Sequence, residues 1–273
     1  MNKILNFTIQ NDTEIDLLRA SLNISQYIEY PDLDIECYIS KVLGMIEDVG
    51  NMLPIVPCSL DIIQTVNNYL FKEKGYRGNK ENYYEPCNSF LNDVLDNRTG
   101  IPITLCILYS YIANRLGLDS HGVCFPGHFI LRSDNTDGEY LIDPFNEGRI
   151  LTREDCQSIL DNLFDGKIIF EERFIEYADN HQILKRVINN LKNIYITNKD
   201  YKSALKTVNL MLMLDPEEIE QLRDRALICI NLECYSQSLK DLENYFSKAR
   251  SDIHDDELRS YIPVLKNIVK NIN

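Results

Sequence analysis

The sequence predicts an α+β body followed by an all-α tail, and three observations carry that reading. Amphipathic segments separated by breakers fill roughly the first 115 residues. Short alternating runs flank a turn-forming cluster between residues 121 and 143. Beyond Asn180, apolar positions recur with a period of about 34 residues.

Residues 14–28 place Ile15, Leu18 and Leu22 at helical spacing, and Tyr30-Pro31-Asp32 breaks the pattern. Helices are expected over 35–49, over 60–71 with Ser59 as N-cap, and over 88–96. Pro102 suits a helix start, residues 104–116 continue that helix, and Gly117 ends it. The runs 121–132 and 139–143 then read as strands joined through Asp134-Asn135-Thr136-Asp137-Gly138. Residues 167–170 are expected to add a further strand.

In the tail, Tyr201 pairs with Tyr235, Leu205 with Leu239, Ile194 with Ile228 and Leu212 with Phe246, each pair one such period apart. That period belongs to tetratricopeptide units, each a helix–turn–helix. Tyr195, Ala204 and Pro216 take the positions the first unit requires; Cys229, Ser238 and Arg250 replace them in the second. Residues 255–272 are expected to cap the stack, which divides the chain into a body over 1–178 and a helical tail over 179–273.

The chain has 273 residues, 44% of them hydrophobic and 26% charged, as globular proteins do. No apolar run approaches the ~18 residues of a membrane span, and the N-terminal segment holds no apolar signal core. A cytoplasmic, membrane-free protein is expected. Its eight cysteines form no CxxC pair, so they read as reduced thiols rather than as zinc ligands or a redox motif. Between Met1 and Asp179, 14 Lys+Arg stand against 29 Asp+Glu, which disfavours nucleic acid as a partner. No Gly-rich phosphate loop and no paired metal ligands appear, so neither cofactor nor metal is expected.

Papain-like catalysis needs a thiolate at a helix N-terminus, a His to take its proton, and a carboxylate or amide to orient that His. His128 in Phe125-Pro126-Gly127-His128-Phe129 and Asp143 in Leu141-Ile142-Asp143-Pro144-Phe145 face each other across the expected hairpin. The two are expected to form a hydrogen-bonded pair.

The order Gly100-Ile101-Pro102, Arg115-Leu116-Gly117-Leu118, Gly122-Val123, Pro126-Gly127-His128 and Ile142-Asp143-Pro144 resembles the transglutaminase-like core. The chain is similar over about residues 15–270 to one bacterial family, the SirB-type proteins, which join such a domain to tetratricopeptide repeats. Tyr30-Pro31-Asp32-Leu33-Asp34, Gly75-Tyr76-Arg77-Gly78-Asn79, Asn88-Ser89-Phe90-Leu91-Asn92, Asn189-Asn190-Leu191-Lys192-Asn193 and Leu222-Arg223-Asp224-Arg225 carry that resemblance. It implies a papain-like helical and antiparallel-sheet domain with His128 and Asp143 in the catalytic positions.

The enzymes with this core open the helix with Gly-x-Cys, where this chain has Gly100-Ile101-Pro102. Proline offers no nucleophile. Cys106, one turn further in, reads either as a buried thiol or as a displaced nucleophile, and Thr104 is a second candidate. Arg77, Asn79, Asn88, Asn92 and Arg98, with Tyr83 and Tyr84, read as a binding cleft on the approach to the helix, or as loop chemistry and aromatic packing. The preferred reading is a non-catalytic or cryptic domain that holds a protein or peptide. The alternative is a cysteine-type amide hydrolase or acyltransferase.

Overall fold

The computed structural model describes Thr8 and residues 10–248 and 255–272. It divides into two compact units, Met1–Val187 and Ile188–Asn273.

The first unit is organised around one helix. α1 (Leu17–Ile28), α2 (Ile35–Gly50) and α3 (Ser59–Asn67) pack on α5 (Pro102–Arg115), which β3 (Ser120–Val123) and β4 (Ile130–Asn135) also contact. Ten of the fourteen residues of α5 are buried, so it lacks the polar face of a surface helix. α1 and α2 begin where Asp16 and Asp34 accept the amides of Arg19 and Cys37, satisfying donors that have no intrahelical partner. α3 differs from expectation at both ends. Cys58 is its N-cap and Ser59 its first residue, because the amide and hydroxyl of Ser59 both donate to the Asp137 carboxylate. The α-helix stops at Asn67, and Asn68–Glu73 continue as a wider π-helical turn.

β1 (Arg77–Gly78) pairs in parallel with β2 (Thr99–Gly100) around the short helix α4 (Leu91–Asn97). The main sheet is an antiparallel meander of β3, β4, β5 (Gly138–Asp143) and β6 (Arg149–Leu151). Leu131 faces Ile142 and Ile142 faces Ile150 in its register. One face, through Val123, Phe125, Ile130, Leu141 and Leu151, packs on Cys156 and Leu160 of α6 (Arg153–Phe164). Residues 167–170 are not a strand. Gln157 accepts the Phe170 amide and donates to the Ile168 carbonyl, so a side chain rather than a neighbouring strand satisfies that backbone.

The second unit holds the end of α7 (Asn180–Thr197), then α8 (Tyr201–Leu214), α9 (Ile219–Asn231), α10 (Tyr235–Lys248) and α11 (Asp256–Ile272). Leu222, Ala226, Leu242, Tyr245, Leu258 and Leu265 form its core. Two partly buried ion pairs cross-link it: Arg225 grips Asp241 through two hydrogen bonds, and Lys192 reaches Asp224 at 2.6 Å. The latter joins two of the sequence segments that carried the family resemblance. Arg250, the last position of the second repeat, lies outside the described residues. Among the described residues, no helix is long and apolar enough to cross a membrane.

Candidate binding cleft

The turn before β4 presents His128. The expected strand over 121–132 is interrupted here: β3 ends at Val123, β4 begins at Ile130, and the His128 amide donates to the Phe125 carbonyl. Gly127 turns the chain at φ 69°, a left-handed conformation that costs an L side chain about 1–2 kcal/mol. Arg186 holds the same turn from α7, donating to the His128 carbonyl at 2.8 Å and to that of Phe125 at 3.4 Å.

His128 Nε2 lies 2.9 Å from Asp143 Oδ2, so Nε2 carries the proton in this pairing. Asp143 is fully buried at the end of β5. Its Oδ2 also accepts from Asn146 at 2.7 Å, and its Oδ1 accepts the Phe145 amide at 3.1 Å. Burial pushes the Asp143 carboxyl up, but the hydrogen bond and charge of His128, with the hydrogen bonds of Asn146, outweigh it and hold the group below the usual carboxylate range.

Beside this pair opens a cleft of about 540 Å³. Pro102 at the start of α5, Tyr83, Tyr84, Phe145, and Ile159 and Leu163 of α6 line it together with Lys80, Asn146 and His128. The rings interlock edge to face: His128 on Phe145 at 5.9 Å, Phe145 on Tyr83 at 6.2 Å and Tyr83 on Tyr84 at 5.2 Å. Among the described residues, the lining contains no thiol and no serine or threonine hydroxyl.

Cys106 lies beneath, not in, this cleft. It is fully buried, and its Sγ points at the Phe129 carbonyl at 3.6 Å. Burial, and after it the Asp143 charge, drive its thiol well above the ordinary range, against the dipole that a helix N-terminus supplies. Thr104 is 1% exposed and works as a helix cap: its hydroxyl donates to the Asn88 carbonyl at 2.8 Å and accepts the Ile101 amide at 3.2 Å. Gly100 stands close against this cap, since a Cβ there would lie 2.8 Å from Thr104 Oγ1.

The remaining sequence candidates separate. Tyr83 and Tyr84 line the His128 cleft. Arg77, Asn79 and Asn88 line a neighbouring polar hollow of about 650 Å³ that shares Lys80 with it. Asn88 is a buried tie there, donating to the Asn82 carbonyl and accepting from Asn79. Asn92 is buried and donates to Asp93. Arg98 caps α4 at φ 56° and donates to the Lys74 carbonyl. Neither Asn92 nor Arg98 lines either hollow. Lys80, Phe145, Asn146, Ile159 and Leu163 were not singled out from sequence. Phe145 and Asn146 had a signal, standing two and three residues after Asp143 in a Pro-containing turn. The described residues also hold one group of potential metal ligands, Asp12, Asp179 and His181, in which Asp12 already accepts from the His181 amide and ring.

A helix start, a turn histidine and a buried aspartate so arranged define a class. Residues 36–189 match the model of the transglutaminase-like superfamily, and residues 191–263 match a tetratricopeptide repeat model. The chain belongs to the transglutaminase-like superfamily and, within it, to the UPF0162 family. It is 33% identical to a UPF0162 protein of Xylella fastidiosa over 96% of this chain and 94% of that one. It is 27% identical to the UPF0162 protein YchA of Escherichia coli over 86% of each chain. Protein SirB1 of Salmonella typhimurium is 32% identical over 63% of this chain and 64% of its own. No solved structure matches.

Proposed function

We propose that this protein is a peptide-binding module whose transglutaminase-like domain docks its partner in the His128 cleft without acyl-transfer chemistry. One observation carries the reading. The oriented His128–Asp143 pair borders an aromatic and apolar cleft, and Pro102 occupies the helix start at which an enzyme of this class would present its nucleophile. Interlocked aromatic side chains supply contact area at low entropic cost, which favours holding a partner. The tetratricopeptide tail adds a second surface of the kind that stacked helical repeats offer to proteins. All eight cysteines are free thiols, which favours a reducing compartment such as the cytoplasm.

The alternative, a cysteine-type amide hydrolase or acyltransferase, is favoured by the intact pair alone and requires Cys106 to reach the cleft. Selection from a displayed random peptide library, with Tyr83→Ala and His128→Ala as controls, tests the proposal alongside an assay of peptide-amide turnover. Peptides retained by the wild type and lost by both variants, with no turnover, are expected. Turnover that Cys106→Ala abolishes would overturn the reading in favour of the hydrolase.

A further inference from the structure

We infer that the His128 cleft recognises the free C-terminal carboxylate of a peptide ending in a bulky apolar residue. The inference rests on the peptide-binding reading of the cleft and names its ligand. Lys80 is the anchor. Its Nζ donates to Asn146 Oδ1 at 2.9 Å and stands 5.9 Å from the centre of the Phe145 ring. Asn146 in turn donates to Asp143, which holds His128, so a continuous chain of hydrogen bonds links the exposed Lys80 ammonium to the histidine.

An ammonium has three N–H groups, and among the described residues only one of those on Lys80 finds a partner. No carboxylate pairs with it there, although acids outnumber bases 29 to 14 between Met1 and Asp179. A cation left unneutralised in an acidic body is complementary to an anion from outside.

Next to this polar end lies the apolar wall of Ile159, Leu163 and Tyr84, with Leu163 51% and Tyr84 78% exposed. A chain terminus satisfies both halves at once, because its carboxylate sits one bond from the Cα that bears its last side chain. An internal peptide segment carries no charge at that distance from an apolar side chain. Capture of a terminal carboxylate beside a side-chain pocket is a recurrent mode of peptide recognition. The volume suits one or two residues.

The test uses the full-length protein and pools of fluorescein-labelled hexapeptides that are random except for a last residue of Leu, Ile or Phe. Each pool is made as the free acid and as the C-terminal amide, and binding is followed by fluorescence polarisation. The free acids are expected to bind about ten- to a hundredfold more tightly, the worth of a charged hydrogen bond. Lys80→Met is expected to abolish that preference without lowering the melting temperature. Equal affinity for acid and amide, a preference that survives Lys80→Met, or equally tight binding of acid peptides ending in Glu would overturn the inference. If acid and amide bind equally and Tyr83→Ala removes both, the docking cleft stands and only the carboxylate falls. If neither pool binds in a way that depends on Tyr83, both readings fall.

Discussion

Replacing Asp143 with Asn keeps its size and removes its charge. The wild-type carboxylate accepts three hydrogen bonds, from His128, Asn146 and the Phe145 amide, at 2.7–3.1 Å. Bonds to a charged acceptor are worth about 1.5–3 kcal/mol each. His128 and Asn146 border the cleft, where water can replace part of what they lose, whereas an amide nitrogen turned toward any of the three donors is repulsive. A loss of roughly 2–4 kcal/mol follows. The pH dependence has a definite sign. The folded carboxyl titrates below its ordinary value of about 3.9, so its contribution is complete above that value and disappears as pH falls through the folded one. The Asp143 contribution to the difference between wild type and Asp143→Asn therefore narrows as pH falls below about 4. The chain contains no tryptophan, so urea unfolding followed by circular dichroism at several pH values is the assay. A difference below about 0.5 kcal/mol, or one that grows as pH falls below about 4, would refute the claim that a buried, ionised Asp143 organises the site.

Two further perturbations separate the turn from the tail. Gly127→Ala places a side chain at φ 69°, with its Cβ 2.9 Å from Leu163 Cδ1. Leu163 is half exposed and can yield, so the cost is expected to stay near the backbone's own penalty of about 1–2 kcal/mol, and unchanged or raised stability in urea unfolding would contradict it. In the tail, Asp241→Ala leaves Arg225 and Gln237 without their buried acceptor and is expected to cost about 3–5 kcal/mol, seen as early loss of helical dichroism. A loss under about 1 kcal/mol would show that the pair is screened as a surface pair is.

Legibility followed sequence separation. The His128–Asp143 pair was readable because a hairpin brings the two positions together, and the tetratricopeptide period revealed the helical stack because every unit repeats the same packing problem. β6 and α6 were missed. The strand has only three residues, too few for a period, yet Thr152 and Asp155 formed a capping box that announced the helix after it. Residues 167–170 misled because an apolar run does not reveal whether a strand or a side chain will satisfy its backbone; Gln157 does so here. The cleft was half visible. Tyr83 and Tyr84 stood out as an aromatic pair, whereas Ile159 and Leu163 arrive from a helix far along the chain and look like any amphipathic face. Asn92 and Arg98 were polar residues beside a motif, and their roles in a buried contact and a left-handed cap depend on tertiary placement.

On the proposed reading the cleft beside His128 holds no activated nucleophile, and alkylation of Cys106 probes that point. Iodoacetamide labelling of each cysteine is followed by peptide mass spectrometry from pH 5 to 9, in wild type and His128→Ala. Cys106 is buried against the Phe129 carbonyl with its thiol pushed far up, so it is expected to react only as fast as the protein opens, and no more slowly in His128→Ala than in wild type. Rapid labelling of Cys106 below pH 7 that slows without His128 would reveal a thiolate activated by the pair, and would contradict the account.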